Sequence, residues 1–214
     1  NEAWKLPPSL SRASRLTILD VSNNRLEQLE HAELSRLQGL ISLKLANNRL
    51  RSLPAYFGTF RSMRTLNISS NFLDSFPKFL CDLEGLVDID MSFNAIASLP
   101  DEIGKLRNLE RFVITNNRLN GSLPATFGEL INMKEVDVRY NALSSIDVIA
   151  RLPKVEQISA DHNSVSVCES EFTKIRVLRL NSNPVTKFEI QNAVPTLTTL
   201  ILSNAKLAHI PDAA

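Results

Sequence analysis

The 214-residue sequence reads as one α/β solenoid with a concave parallel β-sheet and an irregular, short-helical convex side. Two observations point there: a frame of apolar and Asn positions returns nine times at a near-constant step, and an apolar-Pro pair follows many of the returns. Self-similarity at a period of 20–50 residues marks a stacked-repeat architecture, because one such unit cannot bury its own apolar face. The fourth unit shows the frame: Leu86, Ile89, Met91, Asn94 and Ile96. Ile89 and Met91 are two residues apart and share the core face of a short strand, whereas Asp88, Asp90 and Ser92 share the solvent face.

The anchor of each frame is an asparagine: Asn24, Asn48, Asn71, Asn94, Asn117, Asn141, Asn163 and Asn183, with Ala205 in the ninth unit. The steps between them are 24, 23, 23, 23, 24, 22 and 20, and the step to Ala205 is 22. A side-chain amide both donates and accepts, so it can satisfy backbone groups where the chain leaves the strand, and the stacked units predict a structural Asn ladder. The convex halves open at Leu53-Pro54, Phe76-Pro77, Leu99-Pro100, Leu123-Pro124 and Ile210-Pro211. Proline lacks an N–H and fixes φ, which ends strand pairing. Apolar pairs follow the first four: Phe57 and Phe60, Leu80 and Leu83, Ile103 and Leu106, Phe127 and Leu130.

These units, L-x-x-L-x-L-x-x-N-x-L followed by L-P, resemble the leucine-rich repeat family over nearly the whole chain. The resemblance implies a horseshoe-shaped solenoid whose neighbours bury each other's faces. Residues 1–214 are expected to form a single array of nine framed units with partial units at both ends. Leu6-Pro7 is the tail of a unit whose strand half lies upstream, and Ile210-Pro211 opens a unit that is not completed, so the sequence reads as an excerpt of a longer protein.

Composition excludes several functions. A formal net charge of +1 argues against a general nucleic-acid binder, which needs clustered basic charge. No run of about 18 apolar residues occurs, which argues against direct membrane insertion. Cys81 and Cys168 fall in convex halves four units apart, roughly 19 Å at a ~4.8 Å rung spacing, too far for a disulfide. Two cysteines that cannot pair favour an intracellular compartment. Cys81 stands where neighbouring units have Gly58, Gly104 and Gly128 and is expected to be buried. No phosphate loop, C-x-x-C, H-E-x-x-H or nucleophile elbow is present, and His31, His162 and His209 lie in different units. No catalytic residue and no metal site is expected. The Asn67-Ile68-Ser69 and Asn120-Gly121-Ser122 sequons are read as accidental in an Asn- and Ser-rich chain.

Binding is the better use of the concave face. Asp88, Asp90, Glu135, Asp137 and Asp161 face Arg111 and Arg139, an excess of three acids that favours a basic partner. Arg111 falls between Asp88 and Glu135 in one column, and Arg139 is expected beside Asp161. The position just before each ladder residue, taken as the strand end, reads Asn23, Asn47, Ser70, Phe93, Asn116, Tyr140, His162, Ser182 and Asn204, so rings occur only in the middle. Exposed aromatics beside arginine are common interface anchors, which makes Phe93, Arg111, Arg139, Tyr140 and His162 candidate contacts. The competing reading is that Phe93 and Tyr140 cover neighbouring Asn turns.

The last unit, Leu200-Ile201-Leu202-Ser203-Asn204-Ala205-Lys206-Leu207, is similar to an L-x-L-S-x-A-x-L unit in the repeat region of fungal adenylate cyclases, and the irregular 20- and 22-residue steps before it fit. That resemblance implies a regulatory protein-interaction region preceding a phosphatase-like and a cyclase domain. It implies a Ras-type small GTPase as partner, and a cytoplasmic location, peripheral at the plasma membrane through parent or partner. It implies no cofactor in this segment, Mg and ATP belonging to the parent's cyclase domain. Because the acidic middle of the face opposes an acidic GTPase effector surface, such a partner would meet Lys44, Arg64 or Arg179, or would use a different surface of its own. An intracellular adaptor or ligand-sensing scaffold unrelated to cyclase, and a passive spacer, are the other readings.

Overall fold

The computed structural model describes residues 5–192 and 194–207. The Ile210-Pro211 tail and His209 lie outside the described residues. Thirteen strands occur among them: β1 (Ile18–Asp20), β2 (Ser42–Lys44), β3 (Thr65–Asn67), β4 (Asp88–Asp90), β5 (Arg111–Val113), β6 (Asn120–Gly121), β7 (Glu135–Asp137), β8 (Ala142–Leu143), β9 (Gln157–Ser159), β10 (Val167–Ser170), β11 (Val177–Arg179), β12 (Lys187–Ile190) and β13 (Thr199–Ile201). Nine make one parallel sheet in the order β1-β2-β3-β4-β5-β7-β9-β11-β13, in register at the same frame position of every unit. The central residue of the first eight strands of this sheet is buried in the core, namely Leu19, Leu43, Leu66, Ile89, Phe112, Val136, Ile158 and Leu178, whereas Leu200 in the last strand, β13, is 42% exposed.

On the convex side, Pro7, Pro54, Pro77, Pro100 and Pro124 stand in extended conformation immediately before five-residue 3-10 turns. Each turn lowers apolar residues onto the core; Phe57, Phe60 and Tyr56 pack ring against ring, and Phe127 meets Phe112 edge-on at 5.5 Å. An added Cβ at Gly58 would lie 2.7 Å from the Phe79 carbonyl oxygen, so that turn is glycine because the next unit approaches it closely. Such turns are wider than the ~4.8 Å between strands, so stacking bends the array toward the sheet.

The short units depart from this plan in a way the sequence reading did not include. The 22-residue unit after Asn141 has an α-helical turn, α1 (Asp147–Ala150), and the following 20- and 22-residue units place β10 beside β12 in a convex parallel pair. These units lack the L-P opening, and four extended residues cover the core with fewer residues than a 3-10 turn and its connections. Asn192 locks the pair's exit: its Oδ1 accepts the Phe172 N–H at 2.9 Å and its Nδ2 donates to the Phe172 carbonyl at 2.8 Å. A second convex pair, β6 with β8, carries Asn120 and Gly121, the latter at φ +64.

The Asn ladder forms as expected. From Asn48 to Asn183, each Oδ1 accepts a backbone N–H of the preceding unit at 2.9–3.0 Å: Leu26, Leu50, Leu73, Ile96, Leu119, Leu143 and Val165 in turn. The Nδ2 of the same residues donates back to the preceding unit's carbonyls, for example Asn117 to Met91 at 3.0 Å, and also to its own unit, Asn117 to Ile114 at 3.2 Å. Asn24 keeps the donor half, to Val21 at 3.0 Å, but its buried Oδ1 has no partner among the described residues.

Replacing Asn117 with Ala removes the partner of the Ile96 N–H and the donor to three carbonyls, of Met91, Ile114 and Thr115, so urea unfolding should show a loss of about 2–3 kcal/mol, and Asn24→Ala a smaller loss in the same assay. Cys81 and Cys168 are both buried and free. Burial, reinforced by Glu102 at Cys81 and by Asp147 at Cys168, pushes both thiols up to about 12. An unfolded thiol ionises near its ordinary value of about 8.5. The raised folded value therefore contributes stability that is present below that pH and is lost as pH rises toward 12. A disulfide reagent at pH 8 should label neither thiol in the folded chain and both in urea; rapid labelling without denaturant would contradict the packing.

Candidate protein-docking face

The sheet presents two columns of outward side chains, from the first and third residues of each strand, because only the middle residue faces the core. In the first column Asp88, Arg111 and Glu135 are register partners on β4, β5 and β7. Arg111 bridges them, with Nη1 to Asp88 Oδ1 at 3.0 Å and Nε to Glu135 Oε1 at 3.4 Å. Desolvation works against its charge, yet Asp88, then Glu135 and Asp90, together lift its pKa above the ordinary arginine value.

The third column is tied into the backbone. Asp90 Oδ1 accepts the Ser92 N–H at 2.9 Å and its hydroxyl at 2.6 Å, and Asn67 and Asp20 make the same turn with Ser69 and Ser22. Asp137 is only 8% exposed and holds its own Arg139 by Nε and Nη2 at 2.6–3.1 Å. Arg139 thus makes its direct ion pair along the chain with Asp137, while Asp161 in the neighbouring unit acts on it through charge alone. The guanidinium reaches a carboxylate two residues back without crossing a rung, and that hydrogen bond raises its pKa. Asp161, also 8% exposed, instead accepts the Asn181 N–H at 2.7 Å. Lys44 and Arg179 are exposed on the same face. Arg64 precedes β3 and donates to the Met63 and Gly85 carbonyls, off the sheet columns. Between the columns, a shallow recess of about 190 Å³ is lined by Lys44, Thr65, Asn67, Asp88, Asp90 and Arg111.

The residue before each ladder position is not a strand end. The strands stop three residues earlier, and this residue has left-handed backbone at every one of the nine units, φ 51–58. The turn brings the following Asn side chain inward while the left-handed residue's N–H still donates to the next unit, as Phe93 does to Thr115 at 2.8 Å. Asn tolerates this conformation, and it or Ser fills six of the nine places. Phe93, Tyr140 and His162 fill the others; histidine is among the types enriched at positive φ, whereas Phe93 and Tyr140 stand there at a cost of about 1–2 kcal/mol each. Phe93 is 56% and Tyr140 48% exposed, so about half of each side chain stays open to solvent. Tyr140 stacks on His162 with centroids 4.3 Å apart and planes 9° from parallel.

Comparison with known proteins places this geometry. The leucine rich repeat family profile matches residues 14–73 and 107–165, more than half the chain. The chain belongs to the leucine-rich repeat family. It is 56% identical over 99% of its length to an adenylate cyclase of Podospora anserina and 57% identical over 82% to one of Neurospora crassa. It spans about a tenth of the length of those relatives. A leucine-rich repeat protein of Leptospira interrogans superposes with a TM-score of 0.78 at 24% identity, over 99% of this chain and 66% of that one, which shows the shared solenoid.

In this leucine-rich repeat array the candidate residues gather on one face and its rim. Asp88, Arg111 and Glu135 form one connected triad, Phe93, Tyr140 and His162 line the rim, and Asp90, Asp137, Arg139 and Asp161 are engaged within the scaffold. Two groups, one exposed and one half-buried, escaped the sequence reading. Phe72, 55% exposed, follows the ladder Asn71 and lies under the Arg51 guanidinium at 5.8 Å. Asn116 sits between Phe93 and Tyr140 with no hydrogen bond to its side chain among the described residues. No helix among the described residues is long and apolar enough to cross a membrane.

Arg111→Met should cost about 0.5–1 kcal/mol, because a half-exposed pair is screened and two carboxylates lose their common partner. Chemical denaturation in 1 M NaCl should show that cost shrinking; an unchanged cost would mean that the arginine acts by packing.

Proposed function

We propose that this chain is the repeat region of a fungal-type adenylate cyclase and that its sheet face docks a regulatory protein. The observation that carries the reading is the 56% identity that continues over 99% of the chain, through the irregular units as well as the regular ones. A generic repeat resemblance accounts for the frame positions alone. The repeat fold suits docking because each rung adds outward side chains at fixed spacing on a rigid sheet. Catalysis and its Mg and ATP belong, on this reading, to a separate cyclase domain of the parent, in the cytoplasm.

A Ras-type small GTPase is the partner this reading favours. Its acidic effector surface is matched by the exposed Lys44 and Arg179, on either side of the acidic middle of the face. Charge opposition of this kind governs association rate and salt dependence more than contact area does. The 214-residue chain should be retained by an immobilised Ras-type GTPase loaded with a non-hydrolysable GTP analogue and not by the GDP-loaded form. Lys44→Glu with Arg179→Glu should abolish retention; no retention in either nucleotide state would overturn the GTPase reading.

A further inference from the structure

Among the nine left-handed positions the rings are confined to neighbouring rungs, in the order Phe93, Asn116, Tyr140, His162. At ~4.8 Å per rung, Phe93 and Tyr140 stand roughly 10 Å apart across the shorter Asn116. A planar group in contact with a ring on each side fills about 7–8 Å, so modest side-chain rotation closes the two rings on it. Tyr140 is braced from behind by its stack on His162, which leaves its other face toward Asn116.

The floor of this notch is unspent. Elsewhere in the column asparagines pair with one another or with serine: Asn47 Nδ2 donates to Asn23 Oδ1 at 2.9 Å, and Asn204 Nδ2 to Ser182 Oγ at 3.4 Å. The Asn116 amide does neither, so its Oδ1 is available as an acceptor. The surrounding charge is negative. Five carboxylates, Asp88, Asp90, Glu135, Asp137 and Asp161, stand on this part of the sheet against Arg111 and Arg139, which already hold carboxylates, and the exposed Arg118 on the turn after Asn117, so acids still outnumber bases. Two aromatic walls, a neutral oxygen acceptor and an acidic setting are the recognition chemistry of a guanidinium, which stacks as a plane and donates at its edge; a lysine ammonium has no plane to stack.

We propose that the notch formed by Phe93, Asn116 and Tyr140 receives an arginine side chain from an extended segment of a partner protein. The backbone cost of placing rings at left-handed positions is the independent sign, because strain persists at exposed sites where the side chain is used. The inference rests on the sheet face being a docking surface; it does not require that the partner be a GTPase.

A library of random linear peptides selected on the immobilised 214-residue chain should yield arginine-bearing peptides. Fluorescence anisotropy should show at least tenfold weaker binding when that arginine is replaced by its neutral isostere citrulline, or when the chain carries Phe93→Asn or Tyr140→Asn. Both variants put a residue suited to left-handed backbone at these places, so their urea midpoints should equal or exceed the parent's. Selection of peptides without arginine, or equal binding of the citrulline peptides, would overturn the arginine notch while leaving the docking surface standing. A lowered midpoint with unchanged binding would assign the rings to packing, and failure to select any peptide would count against the docking surface itself.

Discussion

The bidentate use of one asparagine amide per unit is the constraint on which the remaining architecture hangs. Where the chain leaves the sheet and turns inward, it exposes backbone donors and acceptors to a core of Leu, Ile and Phe, where an unmet polar group costs on the order of 1–3 kcal/mol. Each ladder Asn closes several of those debts at once, across the unit boundary in both directions, as Asn117 does between Ile96 and Met91. Because the amide must reach the same groups in every unit, it sets the register between rungs and forces the preceding residue into left-handed backbone.

That forced conformation shapes the binding surface. It throws one side chain per rung onto the rim of the sheet, from backbone that the ladder holds in place. Most rungs fill the place with Asn, which suits the backbone, or with the small Ser. The rungs with rings trade local stability for exposed aromatic area, and they lie beside the part of the sheet where carboxylates outnumber guanidiniums. Much of that charge is already compensated by Arg111 across strands and by Arg139 along the chain. The rim and the Asn116 amide, unpaired among the described residues, remain the groups with capacity to spare.

Legibility differed by length scale. The core and ladder could be read because the frame repeats and each position has one physical job: Ile89 and Met91 are buried where alternation puts them. The Asp88-Arg111-Glu135 triad was readable because register partners in a parallel sheet share a column. The Arg139 pairing was not, since a guanidinium can reach along its own strand or across to the next, and the choice of Asp137 depends on rotamers. The convex β10–β12 pair was also hidden. Its residues alternate over only four positions, and pairing needs a neighbour that sequence order alone does not position.

The amino-acid pattern was therefore sufficient for the solenoid, its period, its core and its ladder, because those follow from hydrophobic spacing and from the donor and acceptor count of an amide. It was also sufficient to single out the middle rungs as unusual. Three-dimensional stacking settled which carboxylates are spent inside the scaffold, such as Asp161 on the Asn181 N–H, and which rim groups stay open. Those outcomes depend on distances between units, and such distances exist only once neighbouring coils have packed.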